Sequence, residues 1–331
     1  MTAWIVGFIL LVVKLSVVLV ILLLVAAYLV YAERKLLARL QIRLGPNRAG
    51  PFGLLQPLAD GVKLLTKEDA IPAQADRLIF LYAPAVVAVT AMLIFAVIPF
   101  GQGWTIGGRE IPMVVSDLNV GLLYILALSS ISVYGVALGG WASNSKYSLL
   151  GGIRGAAQMI SYELSLGLSL VPVVMLAGSF SLVDIVAAQG RCPFLLLQPL
   201  AFVIFFVSAV AETKRLPFDL PEAENELLAG YHTEYSGMRF GLFFLGEYIT
   251  MVVLGSLVAV FFLGGWRGPL LPPLLWFPLK VLAVVFVIIW LRGTLPRLRY
   301  DQLMHLGWKV LVPLALINIV VTGGVMLWVG I

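Results

Sequence analysis

Apolar runs of about 20 residues recur along the chain, each long enough for a helix to cross the hydrocarbon core of a bilayer. Eight can be marked, at roughly 4–32, 78–100, 117–140, 157–178, 194–212, 239–263, 275–292 and 309–330. Lipid offers no hydrogen-bond partners to exposed backbone, so a spanning segment must be a helix or part of a closed barrel. No strand-like alternation of polar and apolar residues supports a barrel. The expectation is an all-α integral membrane protein, with residues 1–331 forming a single polytopic domain of about eight transmembrane helices. Apolar residues make up 61% of the chain and charged residues 12%, which suits that class. The first run is too long for a signal-peptide core and is followed by Glu33, Arg34 and Lys35, so it reads as a retained helix.

The rare residues exclude several chemistries. A single cysteine, Cys192, allows neither an internal disulfide nor an iron–sulfur cluster held by this chain alone. The two histidines, His232 and His305, are far apart and belong to no metal-ligand motif. GGIRG lacks the spacing and the lysine of a phosphate loop. The expectation is a chain with no redox centre or cofactor bound by itself alone.

Basic residues sort by side. Of the 22 lysines and arginines, 17 fall in the connections after runs 1, 3, 5 and 7, and three (Arg109, Arg191, Arg267) in the others. Lys14 and Lys280 lie within runs. The positive-inside rule then makes about 33–77, 141–156, 213–238 and 293–308 the cytoplasmic loops and puts both termini on the opposite side. The net charge of +5 reflects this sorting. No interleaving of basic and aromatic residues points to nucleic acid.

One cytoplasmic loop runs against the trend. Residues 215–237, RLPFDLPEAENELLAGYHTEYSG, hold five acids and one base, and the window 212–247 holds seven acids against three bases. The acids Asp219, Glu222, Glu224, Glu226 and Glu234 are interleaved with Leu216, Phe218, Leu220, Leu227 and Tyr231, which favour burial. Glu222 and Glu226 are four apart, the spacing that shares a helix face. Glu212 closes one run and Glu247 lies inside the next. Carboxylates at membrane depth are costly and mark ion or proton paths. Glu163, two turns inside the fourth run, is either a proton-exchange site or half of an ion pair within the bundle. Lys280, near the end of its run, suits snorkelling; Lys14 sits deeper and calls for an acidic partner.

The first cytoplasmic connection carries Leu54, Leu58, Val62 and Leu65 on one stripe, with Gln56, Asp60, Lys63 and Lys67 off it. That pattern is an amphipathic helix fit to lie at the membrane surface. It either seals the loop or, with Glu33–Arg34–Lys35, frames a lateral opening for a lipophilic ligand. The turn-rich GPNRAGPFG precedes it.

Four segments carry a resemblance: AERKLLARLQIRLGPNRAGPFGLLQPLADGVKLLTKE, GWASNSKYSLLGGIRGAAQMISYELSLG, AETKRLPFDLPEAENELLAGYHTEYSGMRF and LRGTLPRLRYDQLMHLGWKVL. They resemble the H-subunit family of proton-translocating NADH–quinone oxidoreductases, bacterial counterpart of the mitochondrial complex I core membrane subunit at the quinone site. The resemblance runs nearly end to end and keeps the motif order; Arg191–Cys192–Pro193 reads as tolerated loop variation. It implies a multi-pass subunit of the bacterial inner membrane, placed where the membrane arm meets the hydrophilic arm. Quinone is then a substrate shared with hydrophilic-arm subunits, and FMN and iron–sulfur clusters belong to partners. Neighbouring small membrane subunits and antiporter-like subunits complete the set of partners. Glu33, Arg34, Lys35, Gln56, Pro57, Asp60, Lys63, Arg292, Arg297 and Arg299 match motifs at the quinone chamber or the arm contact. Glu163, Glu212, Glu224, Glu226 and Glu247, with Glu222 close by, match a chain of glutamates that couples quinone reduction to proton translocation. Two rivals stand beside this reading. One is the equivalent subunit of a complex fed by reduced coenzyme F420 or ferredoxin; the other is a free-standing secondary transporter, although no internal repeat is visible.

Overall fold

The long helices follow from uninterrupted apolar sequence. The computed structural model describes residues 2–106, 109–190, 192–222, 224–269 and 271–330. Helix α1 (Thr2–Leu40) contains no proline and stays helical past its apolar run, so Glu33, Arg34 and Lys35 lie on its last turns. The prolines and glycines of 45–53 then break the chain. Amphipathic α2 (Gln56–Thr66) follows, with Pro57 in its first turn, where a missing N–H costs nothing. Helix α3 (Arg77–Ile94) starts at Asp76, whose carboxylate caps the Ile79 N–H at 3.3 Å. A two-stranded hairpin, β1 (Trp104–Ile106) and β2 (Arg109–Ile111), leads to α4 (Gly121–Ala142). Helix α5 (Lys146–Ala177) ends at Gly178, in the left-handed region at φ +68°. Short α6 (Leu182–Ala188) and α7 (Phe194–Leu197) come next, then α8 (Pro199–Glu212), α9 (Glu224–Leu227) and α10 (Gly237–Phe262). The chain finishes with α11 (Pro273–Thr294), α12 (Tyr300–His305), a π-helical turn at Leu306–Leu311 and α13 (Val312–Val329).

Seven helices among the described residues are long and apolar enough to cross a membrane, and α8 is a shorter apolar helix of 14 residues. The expected fifth run at 194–212 is therefore split at Gln198–Pro199, because Pro199 has no N–H to continue α7. The expected loop 141–156 is mostly helix, since α5 begins at Lys146. Helix α10 forms the axis: it packs against α1, α3 and α11, and 83% of its most apolar window is buried. By contrast α1 presents Val13, Val17, Val20, Ile21 and Leu24 outward. That inside-apolar, outside-apolar pattern belongs to a helix bundle in lipid.

Two lysines inside the apolar runs are satisfied by backbone. Lys14 donates to the Pro112 carbonyl at 2.8 Å, so its partner is not the acid expected from sequence. Lys280 does not snorkel freely; it donates to the Leu263, Gly265 and Arg267 carbonyls at 2.6–2.8 Å, capping the end of α10. Arg191 lies outside the described residues.

The acid-rich loop between α8 and α10 is folded into the bundle. Gln158 on α5 donates to the Ala211 and Phe218 carbonyls at 2.7 and 2.8 Å. The Leu298 N–H donates to the Pro217 carbonyl at 3.1 Å, and Arg297 to that of Asp219. Tyr235 stacks on Phe80 of α3, ring centroids 4.1 Å apart. Gly230 has φ +62°, and a Cβ there would lie 1.7 Å from the Pro221 carbonyl oxygen. Gly230→Ala therefore forces the loop apart, whereas Gly178→Ala, with φ +68° and no atom near its Cβ, costs only the left-handed penalty of roughly 1–2 kcal/mol. Limited proteolysis of the membrane-embedded protein is expected to cut the 213–236 loop rapidly in the first variant and at the native rate in the second. Equal rates would show that the loop is not held by this contact.

Candidate functional site

The most buried ion pair lies where α1 meets the loop. Glu33 is only 2% exposed, and its two oxygens accept from Arg215 Nη1 at 2.7 and 2.8 Å. Arg292, in the last turn of α11, donates to the same carboxylate from the other side. The Arg215 guanidinium lies over the Tyr248 ring at 4.4 Å and approaches Glu247 Oε2 at 3.9 Å. Glu247 also accepts from the Tyr231 hydroxyl at 2.9 Å. The Lys214 ammonium sits over the Tyr231 ring at 5.0 Å. One buried patch thus joins α1, α10, α11 and the loop through alternating charges.

The loop's titratable groups respond to that setting. Burial pushes the Glu222 carboxyl well above the ordinary range, and the adjacent Glu247 charge adds to the shift. Asp219 is raised to about 6, by burial first, with Arg297 pulling against it. Burial lowers the Lys214 ammonium, opposed by Glu247 and Glu222. Burial also drops His232 to about 4, so it is neutral near pH 7. Glu222 Oε1, Asp219 Oδ1, Arg215 Nε and His232 Nδ1 are buried without protein partners. Such orphaned polar atoms in one region are the setting in which ordered water is retained.

A second polar cluster lies deeper. Glu163 on α5 accepts from Ser130 and, at 3.5 Å, from Ser129, both on α4. Ser129 also lines a cavity of about 40 Å³ with Ser132, Glu212, Thr213 and Thr250, so Glu212 looks into the space beside Glu163's partner. Glu212 closes α8, and Lys214 follows it two residues on, at the start of the loop. Neither of the two sequence readings of Glu163 included hydroxyl partners; its neighbours are serines rather than a cation. From Glu163 to Glu33 the order is Glu163, Ser129, Glu212, Lys214, Glu222 and Glu247, Arg215, Glu33, Arg292.

The remaining sequence candidates divide. Arg34 pairs with Asp60 at 2.9 Å, and Gln56 donates to the same carboxylate at 2.9 Å, tying α2 to α1. Lys35 donates to Tyr31, Pro46 and Phe52 and staples the 45–53 turn. Pro57 is half-buried beside Gln56, while Lys63 and Arg299 are exposed. Glu226 is exposed and paired with Arg154 at 2.6 Å, which lowers its pKa and keeps it apart from the buried row. The expected shared face of Glu222 and Glu226 does not form, because the helix begins only at Glu224. The side chain of Glu224 lies outside what the structure describes. Sequence reasoning missed Lys214, Arg215, Tyr231 and His232 as site residues. The signal was present: Lys214–Arg215 comes two residues after Glu212 and opens an acid-rich stretch.

Comparison with known proteins places the chain. The sequence pattern of the NADH dehydrogenase family matches residues 13–323. Over 330 residues the chain is 72% identical to the NADH-quinone oxidoreductase H subunit 2 of Syntrophobacter fumaroxidans, covering 100% of both. The chain belongs to this H-subunit family. The H subunit 2 of Geobacter sulfurreducens is 69% identical over 316 residues, 96% of each chain. The H subunit of Thermomicrobium roseum is 56% identical over 336 residues, covering 98% of this chain and 96% of its own. The row from Glu163 to Arg292 is therefore a feature of an H-subunit chain.

His232 supplies a pH test of the site. A neutral imidazole whose folded pKa is depressed contributes stability that is full above its unfolded value of 6.5 and lost as pH falls toward about 4. Nitrogen-15 spectra of labelled histidine are expected to show one imidazole that stays neutral through pH 5. Titration of both histidines near 6.5 would contradict its burial.

Proposed function

We propose that this chain serves as the quinone-site membrane subunit of a proton-translocating NADH–quinone oxidoreductase in the bacterial inner membrane. In this reading both termini face away from the cytoplasm. The observation that carries the proposal is the row of ionisable groups from Glu33 to Glu163, buried at Glu33, Arg215, Lys214 and Glu247 and half-buried at Glu222, Glu212 and Glu163, running through a loop that a purely structural connection would leave uncharged. Family membership and the names of its relatives agree with it.

In this reading Glu33, Arg292 and Arg297 border the quinone chamber. Arg34, Lys35, Gln56, Pro57, Asp60 and Lys63 hold the 45–53 turn and α2 as its membrane-side frame, and Arg299 faces the hydrophilic arm. FMN and iron–sulfur clusters reside in partner subunits and supply the electrons. This chain's residues hold and move charge. Reduction of quinone beside Glu33 draws on Arg215 and Arg292, and a small movement of Arg215 changes its hold on Glu247, 3.9 Å away. At an effective dielectric near 20, charges about 4 Å apart interact by roughly 4 kcal/mol, enough to shift proton occupancy by several pKa units. The change passes through Glu222 and Lys214 to Glu212 and Glu163, and from there to neighbouring antiporter-like subunits. Glu226, paired at the surface, contributes to arm contact instead, and Glu224 stays a coupling candidate on the family resemblance alone.

Glu163→Gln and Glu212→Gln each keep size and hydrogen bonding but remove the charge. In the assembled complex each is expected to lower coupled quinone reduction roughly tenfold, a barrier change of about 1.4 kcal/mol, with NADH oxidation by artificial acceptors unchanged. Wild-type coupled turnover in both variants would refute the coupling role.

A further inference from the structure

A groove of about 390 Å³ opens between the ends of α1 and α11, about one helical turn from the Glu33–Arg292 contact and lined by none of the row's residues. Its walls are Leu36, Leu40, Phe286, Ile289 and Trp290, and its single charged residue is Arg39. Leu40, Phe286 and Trp290 are each about half-exposed. Gly293 lets the helices close above it: a Cβ there would meet Leu40 Cδ1 at 2.8 Å and Leu37 Cδ2 at 3.2 Å. The groove is therefore bounded at its cytoplasmic end and open sideways.

Its one charge has no counter-ion from the protein. Arg39 is exposed and has no carboxylate partner among the described residues. The nearest acid on its own helix, Glu33, is buried and already bound by Arg215 and Arg292. Arg39 is thus an exposed guanidinium with no acidic partner just past the end of the apolar run of α1, the level at which a basic group meets lipid headgroups. Trp290, beside it, has the amphipathic ring that settles at the headgroup level of a bilayer. A basic group with an apolar cleft beneath it, between membrane helices on the side richer in positive charge, fits a phosphate headgroup and one acyl chain.

We propose that this groove is a binding site for an anionic phospholipid, whose phosphate is held by Arg39 and whose chain lies against Phe286, Ile289 and Leu36. The lipid completes Arg39's electrostatics and fills space that the helices leave open. A protein helix would have to bring its own acid to this depth, whereas the surrounding membrane already supplies the anion. The inference is separate from the quinone-site reading: its readout is lipid contact, and turnover serves only as the control for assembly.

The test uses the intact complex containing this chain, reconstituted in phosphatidylcholine vesicles that carry photoactivatable phosphatidylglycerol. Labelling is expected within 36–40 and 286–290. It should fall about fivefold in Arg39→Gln, the loss that one basic contact of about 1 kcal/mol with an anionic headgroup implies, and be largely retained in Arg39→Lys. Inhibitor-sensitive quinone reduction, unchanged in both variants, shows that assembly is intact. Equal labelling of wild type and Arg39→Gln would overturn the proposal. So would equal labelling by photoactivatable phosphatidylcholine, or crosslinks from Leu40→Cys to a neighbouring protein subunit in place of lipid.

Discussion

The end of the bundle where α1, α11 and the acidic loop meet depends on one carboxylate held between two guanidiniums. Glu33 comes from the first helix, Arg215 from the loop after α8 and Arg292 from α11, so a single buried group joins segments up to 259 residues apart. Removing one partner from such a buried cluster leaves uncompensated charge and costs about 3–5 kcal/mol. The arrangement is therefore a specificity device: it sets the register of α1 against α11 and anchors the start of the acidic loop. It also carries an excess positive charge, two arginines on one acid, which Glu247 partly balances from 3.9 Å away.

That excess explains the loop's composition. Asp219, Glu222 and Glu247 collect around Arg215, Lys214 and Arg297, so the acids that oppose the positive-inside trend are answered locally by buried bases. The balance is incomplete, because burial disfavours each charged form and leaves polar atoms unpaired. Groups held near the edge between ionised and neutral respond to small changes in their neighbours. In the proposed role, a chain of them transmits a charge change at one end as altered proton occupancy at the other, which is what coupling across a membrane protein requires.

Much of this was legible in the sequence, because lipid narrows the choices. The spans followed from length and hydropathy, and α2 from its stripe at Leu58, Val62 and Leu65. What escaped were features set by tertiary contact. Pro199 splits one span where only the missing N–H gives a clue. Lys14 and Lys280 find carbonyls that no sequence pattern announces, since backbone acceptors leave no residue signature. Glu226 and Glu222 look equivalent by spacing, yet one faces solvent beside Arg154 and the other is enclosed, because the helix that would align them starts two residues late. The bases were undervalued for a similar reason: beside many acids, Lys214 and Arg215 read as ordinary positive-inside charges.

The central claim is that quinone chemistry at the Glu33 end changes protonation within the loop. The most direct measurement is the infrared difference spectrum of the complex on quinone reduction, recorded for the wild type and for Glu222→Gln. The account expects a protonated-carboxyl band in the wild-type spectrum that is lost in the variant while quinone bands remain. Quinone reduction with no carboxyl band, or with the same band in the variant, would contradict it.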